Sequence, residues 1–186
     1  QVILQHQWEV AQAYWRKTAQ AARDNGVRIC IELHGQQLAY NLPTFLQLRE
    51  ITGDAVGLNF DPSHIMWMGG DPLAFIRQAG SMIYHVHAKD TFIDNVNRAT
   101  ATALDNRPMT QSRDRSWSYV TLGYGQTEPW WNAFCYALAH FASPDLTLSI
   151  EHEDMNLSRM EGVIKSVELL KRTATIEKSD YVLPAI

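Results

Sequence analysis

Four short apolar runs, each followed or preceded by a helical segment, all end on a residue able to ligate a metal. The runs read Arg28-Ile29-Cys30-Ile31-Glu32, Gly57-Leu58-Asn59-Phe60-Asp61, Ile83-Tyr84-His85-Val86-His87 and Thr147-Leu148-Ser149-Ile150-Glu151. Helical spacing of apolar residues covers Trp8 to Asp24, with Gly26 as its stop, and Pro43 opens a helix through Glu50 that Gly53 closes. Pro72 to Ala79, Trp130 to Phe141 and a last segment from Ser158 to Arg172 complete the set. Ser158 with Glu161 three residues on has the form of a capping box. This alternation predicts an α/β fold on a parallel sheet, its strands covered on both faces.

In such a fold, ligands bind outside the carboxyl ends of the strands, so Glu32, Asp61, His87 and Glu151 are expected to converge on one mouth. A lone carboxylate at a strand end is commonly a helix cap. Four ligand types at four successive ends call for another explanation, because three crowded carboxylates repel unless a cation lies among them. Three carboxylates and one imidazole suit Mn²⁺, Mg²⁺ or Co²⁺ with coordination positions open to substrate oxygens. Zn²⁺ accepts the same donors, although structural zinc sites usually bring Cys.

Other polar residues gather near these ends. His64, in Asp61-Pro62-Ser63-His64, is read as a proton-transfer or ligand-orienting group, or else a loop histidine. Lys89 is read as neutralising a substrate anion or polarising a carbonyl, the alternative being a solvated surface lysine. His85 shares a strand face with His87 and is expected to face the core, hydrogen-bonded; His34 lies on the face of Glu32. Glu153 and Asp154 extend the acidic end, as support or helix caps, and Cys30 is expected to pack. The stretch 91–125 is far longer than an ordinary βα connection and is read as a long loop or lid. A single domain is expected over residues 1–172, with a tail of no clear period over 173–186.

Composition excludes several classes. A net charge of −4, from 16 Lys+Arg against 20 Asp+Glu, is no footprint for nucleic acid or an anionic membrane. No apolar run approaches the roughly 20 residues that span a bilayer, and two cysteines are too few for a disulfide scaffold. No Gly-rich phosphate loop follows a strand, and no Gly-x-Ser-x-Gly elbow occurs. The expected setting is cytoplasmic, without nucleic-acid or membrane partners.

Glu32 after its strand, Asn59-Phe60-Asp61-Pro62-Ser63-His64, His85-Val86-His87-Ala88-Lys89-Asp90 and Ser149-Ile150-Glu151 together resemble the xylose isomerase-like TIM-barrel superfamily. Within it they are similar to the sugar phosphate isomerase/epimerase group, as is Leu122-Gly123-Tyr124-Gly125 before Trp130-Trp131. The resemblance implies a (β/α)8 barrel with a divalent metal held by Glu32, Asp61, His87 and Glu151, acting on a small-molecule sugar through an enediolate-type intermediate. Glu32 and Glu151 would also move the proton, His64 would contact substrate, and Lys89 completes the catalytic candidates. The related ketose 3-epimerases carry a Glu six residues after the first ligand and an Arg six after the His ligand; here Leu38 and Ile93 stand in those places. Lys89, Asp90 and Arg115-Ser116-Trp117 take over that region, which points toward another sugar or a metal-dependent lyase (dehydratase) on a keto-sugar or keto-inositol. The nuclease branch of the superfamily needs more His ligands and a basic surface, which this charge opposes. A non-catalytic sugar-binding or regulatory module is the remaining alternative.

A complete barrel of this type takes about 250 residues, whereas 186 residues here carry four strands and open on a helix at Gln1. The expectation is therefore the C-terminal four βα units of a barrel. Such a half leaves edge strands and apolar faces uncovered, so the isolated chain is expected to be unstable or to pair with another half, a homo-oligomer of halves being the alternative.

Overall fold

The computed structural model describes residues 2–177 and 179–183. In chain order its elements are α1 (Val2–Asp24), β1 (Ile29–Glu32), α2 (Leu42–Thr52), β2 (Val56–Phe60), α3 (Pro62–Met68), α4 (Pro72–Ala79), β3 (Ile83–Ala88), β4 (Asp90–Ile93), α5 (Asn95–Ala101), β5 (Trp117–Val120), α6 (Glu128–Phe141), β6 (Thr147–Ile150) and α7 (Arg159–Thr173). The predicted strands form one four-stranded sheet in the order β1-β2-β3-β6, every pair parallel. This is half the strand number of a complete (β/α)8 barrel. Glu32 pairs with Asn59, and His87 with Ser149, so the carboxyl ends lie level along one edge of the sheet.

Hydrophobic burial fixes that arrangement. Four of the five β2 residues are buried, as an inner strand covered on both faces requires. Phe60 stacks on Phe75 of α4 at 4.7 Å and reaches Phe134 of α6 at 6.1 Å between ring centres. Trp131, Phe134, Cys135 and Leu138 form the buried stripe of α6, spaced as one helical face. On the other side, Ala19 and Ala22 of α1 let the helix approach Ala55 and Val56 closely. Caps set the helix starts: Asn41 and Thr44 exchange hydrogen bonds in a capping box at α2, and the Ser158 side chain accepts from the Glu161 amide at α7.

The structure departs from the sequence expectations in four places. α1 begins at Val2, six residues before the expected Trp8, and its early apolar side chains are exposed. α3 was not expected; Asp61 caps it and Pro62 occupies its first turn, a start signal present in the sequence. The stretch expected as a loop or lid over 91–125 holds a helix and two antiparallel strands, β4 and β5, with Asp90 opposite Val120 and Ile93 opposite Trp117. Trp117 of that hairpin stacks on Trp67 of α3 at 4.7 Å, anchoring it beside the strand ends. Cys30 is exposed rather than packed, because it lies on the face of β1 opposite Ile29 and Ile31, which pack toward α1. Beyond α7, described residues 174–177 and 179–183 form no helix or strand; 178 and 184–186 lie outside the described residues.

Candidate metal centre

Glu32 closes β1, Asp61 follows β2, His87 sits one residue from the end of β3, and Glu151 follows β6. Each offers one ligand atom, and these atoms all lie within 4.8 Å of one another. His87 Nδ1 is 2.9 Å from Glu32 Oε2 and 2.5 Å from Glu151 Oε2. The Asp61 side chain is fully buried, while those of Glu32, His87 and Glu151 keep 28%, 26% and 30% exposure, so the cradle is closed below and open above.

Glu151 and Asp61 are each held through one oxygen, and Glu32 through both. Glu32 Oε1 lies 2.7 Å from His64 Nε2, and its Oε2 accepts from Asn59 Nδ2 at 3.2 Å. Glu151 Oε1 accepts from Lys89 Nζ at 2.9 Å. Asp61 Oδ1 accepts from the Ser63 amide at 2.8 Å, the cap of α3. Asp61 Oδ2 is buried and has no hydrogen-bond partner. A buried acceptor without a hydrogen bond is costly even with the Lys89 ammonium 3.7 Å away, and burial pushes the Asp61 carboxyl above its usual range. A cation would satisfy that oxygen and remove the repulsion among the three carboxylates, so these donors fit a divalent ion. Such anchoring of ligands by neighbouring groups is what fixes a metal site's geometry.

Lys89 is buried and surrounded by acid: Glu151 at 2.9 Å, Glu153 at 2.8 Å and Asp61 at 3.7 Å, with its ammonium 4.1 Å from the centre of the Tyr119 ring. Burial alone would lower its pKa, but the carboxylates prevail and raise it. Lys89 is thus a permanent cation whose charge is already spent on protein groups. For Glu32, burial opposes ionisation, yet the hydrogen bond from His64 holds its carboxyl below the usual range.

His64 is buried, and its ring is gripped from both sides. Nε2 faces Glu32, while Nδ1 faces the Tyr119 hydroxyl at 2.9 Å and the Trp67 indole N–H at 3.4 Å. An indole nitrogen only donates, so Nδ1 is the acceptor and Nε2–H donates to Glu32. Burial pushes the Tyr119 phenol up, keeping its proton available for that hydrogen bond.

The remaining expected residues separate into roles. His85 Nε2 lies 2.9 Å from Ser149 Oγ, below the cluster, and His34 packs edge-on against His64 at 4.5 Å between ring centres. Glu153 supports Lys89, and Asp154 accepts from the Thr121 amide and hydroxyl. Asp90 is a buried hub: the amides of Thr91, Gly123, Gly125 and Gln126 and the Trp131 indole all donate to it. It fixes the Gly123-Tyr124-Gly125 turn, where a Cβ at Gly125 would lie 2.2 Å from Thr91 O. Sequence reasoning did not single out Asn59, Trp67 or Tyr119 for the site; the alternating Trp117 and Tyr119 were the available signal for the last.

Comparison with known proteins agrees with this geometry. A sequence model of the family described as xylose isomerase-like TIM barrel matches residues 3–173. The chain belongs to the xylose isomerase-like TIM-barrel family. The uncharacterized protein YfiH of Bacillus subtilis (strain 168) is 41% identical over 173 residues, covering 92% of this chain and 55% of the relative. The chain thus spans about half the length of that relative. Among solved structures, the IolI protein with a bound zinc atom superposes with a TM-score of 0.63 at 19% identity, over 89% of this chain and 57% of that one. L-ribulose 3-epimerase gives a TM-score of 0.53 at 20% identity, over 92% and 46%. These likenesses show the fold. Among the described residues no helix is long and apolar enough to cross a membrane.

Proposed function

We propose that this chain carries the metal site of a divalent-metal-dependent isomerase or epimerase acting on a sugar or sugar derivative, through an enediolate-type intermediate. The observation that supports it is the convergence of Glu32, Asp61, His87 and Glu151 donor atoms within 4.8 Å at the carboxyl edge of the sheet. Those four residues hold the ion, with Mn²⁺, Mg²⁺ or Co²⁺ matching the mostly oxygen donor set and Zn²⁺ also accommodated. When bound, the ion supplies a Lewis acid that polarises a substrate carbonyl. Glu32 and Glu151 come from the two outer strands of the sheet and form the proton-transfer pair. One takes the proton from the carbon beside the carbonyl, and the other returns a proton to an adjacent carbon or to the opposite face of the same carbon. His64 donates to Glu32 Oε1 and so turns Oε2 toward His87; Lys89 does the same for Glu151. Both act by positioning, since neither has a free ionic valence for substrate.

Proton NMR in D₂O tests this reading. Metal-loaded protein is expected to place solvent deuterium on carbon in at least one member of a panel of ketoses and keto-inositols, without loss of oxygen, and Glu151→Gln is expected to abolish it. An unsaturated ketone as product would assign the site to elimination instead. Absence of exchange across the panel, or full turnover in Glu151→Gln, would overturn the proposal.

A further inference from the structure

One side chain at the cluster is unfavourable for folding as it stands. Val56, Leu58 and Phe60 of β2 are buried, and Gly57 has no side chain. Asn59 is therefore the one side chain that β2 itself turns to the opposite face, where Glu32 and His87 lie. Parallel pairing sets Asn59 level with Glu32 of β1 and His85 of β3. Its Nδ2 lies 3.2 Å from Glu32 Oε2 and 3.2 Å from each ring nitrogen of His87, so the amide bridges ligands from two strands.

A carboxylate only accepts, so the end of the amide that faces Glu32 is the nitrogen and the oxygen is turned away. That Oδ1 is buried and has no hydrogen-bond partner. A buried amide oxygen without a partner destabilises a fold, and an apolar side chain of similar shape, such as leucine, avoids the penalty. The reason for an asparagine at this position lies in its donor end.

The donors around the cradle divide by charge. Lys89 donates to Glu151 Oε1, whereas Glu151 Oε2 is the oxygen that faces His87. On the cradle side the ammonium comes only within 3.7 Å of Asp61 Oδ2, beyond hydrogen-bond distance. On Glu32, Oε1 faces His64, while Oε2 faces both His87 and Asn59. The cation thus holds an oxygen turned away from the cradle, and the uncharged amide holds one turned into it. A positive donor on that inner oxygen would repel a divalent ion, whereas a neutral donor fixes the oxygen without opposing the ion. An ionised carboxylate has about four acceptor positions on its two oxygens, so Oε2 accepts from Asn59 and keeps room for a cation.

We propose that Asn59 is a positioning residue for the metal: its amide aligns Glu32 Oε2 and the His87 ring on one divalent ion, although its own buried oxygen lowers folding stability. The role rests on the metal-site part of the isomerase or epimerase reading and not on the reaction.

Three measurements test it on the parent, Asn59→Leu, Asn59→Ala and Ser149→Ala. They are Mn²⁺ titration followed by electron paramagnetic resonance, urea unfolding of EDTA-stripped protein, and the visible spectrum of Co²⁺-loaded protein. Ser149 supplies the contrast, because its hydroxyl lies 2.9 Å from His85 Nε2, below the cluster. Asn59→Leu is expected to unfold at a urea concentration equal to or above that of the parent. It is also expected to lower Mn²⁺ affinity at least about tenfold, the lower end for a group that orients ligands, and to alter the Co²⁺ spectrum. Asn59→Ala, which removes the amide without adding bulk, should show the same two metal effects. Ser149→Ala should unfold at lower urea and bind Mn²⁺ as the parent does. Unchanged Mn²⁺ affinity in both Asn59 variants, or an unchanged Co²⁺ spectrum, would overturn the positioning role and leave the metal site standing. An equal affinity loss in Ser149→Ala would overturn it too, since any change on this face would then suffice, as would a metal-free Asn59→Leu less stable than the parent. Absence of tight Mn²⁺ in the parent would overturn the metal site and the role together. Mn²⁺ affinity that depends on Asn59, with no deuterium exchange on any ketose, would sink the isomerase reading alone.

Discussion

Replacing Lys89 with Met removes one positive charge and keeps nearly the same shape. The ammonium has three carboxylates within 4 Å, those of Asp61, Glu151 and Glu153. Breaking a buried ion pair costs about 3–5 kcal/mol, because the partner charge stays desolvated. Asp61 is fully buried and bears that cost in full, but Glu151 and Glu153 keep 30% and 46% exposure and can recover water. The lower end, about 3 kcal/mol, is therefore the expected loss in metal-free protein. For a domain of this size that corresponds to a fall in Tm of about 6–12 °C. A divalent ion in the cradle replaces the missing charge for Asp61 and Glu151 but not for Glu153. Saturating Mn²⁺ should thus stabilise Lys89→Met more than it stabilises the parent, recovering at least half of the loss. Thermal unfolding followed by circular dichroism, in EDTA and in Mn²⁺, reads both quantities. A metal-free variant within about 0.5 kcal/mol of the parent, the range of ordinary surface substitutions, would refute the reasoning, as would equal Mn²⁺ stabilisation of the two proteins.

Long-range ¹H–¹⁵N NMR should find the proton of His64 on Nε2 in the metal-free protein, and Tyr119→Phe should cost about 1 kcal/mol in urea unfolding through loss of one buried hydrogen bond; a proton on Nδ1 would contradict the assignment. Asp90→Ala strands five donors, so a loss of at least about 3 kcal/mol is expected, together with faster hydrogen exchange at Gly123, Gly125 and Gln126; unchanged exchange there would refute the clamp. Asp105 is held well below the usual carboxylate range by the Arg107 hydrogen bonds, against a smaller opposing effect of burial. A depressed folded pKa gives stability that is present above the ordinary carboxylate value near 4 and is lost as pH falls through the folded value. Trp fluorescence from the Trp67–Trp117 stack should therefore change below about pH 4, and Asp105→Asn should abolish that pH dependence while lowering stability at neutral pH.

Much of the sheet and of the cluster is legible in the sequence because both depend on local signals. Apolar runs of strand length end abruptly on ionisable residues, and parallel connectivity places all those ends on one side. Asp61 shows why the cap and ligand readings need not compete: one oxygen caps α3 and the other is left over. The β4–β5 hairpin is less legible, because its strands are four residues each and 23 residues apart. Its pairing is settled by the Trp67–Trp117 stack and the burial of Asp90, Thr91 and Tyr119, which are tertiary contacts. Lys89 is a similar case. Its sequence neighbourhood allows a solvated lysine, whereas three acids from two other strand ends draw it inside. Cys30 goes the other way, since α1 covers only the face of β1 that carries Ile29 and Ile31, which the apolar run alone does not reveal.

The central claim is that Glu32, Asp61, His87 and Glu151 form one divalent-cation site. Titration of Mn²⁺ into EDTA-stripped protein, followed by electron paramagnetic resonance of the free ion, counts and ranks that site directly. The account predicts one tight Mn²⁺ per chain, with affinity lowered at least a hundredfold by Asp61→Asn and by His87→Ala, while Glu153→Gln, which alters only the support of Lys89, changes it far less. No tight ion, or one whose affinity is indifferent to Asp61 and His87, would contradict it.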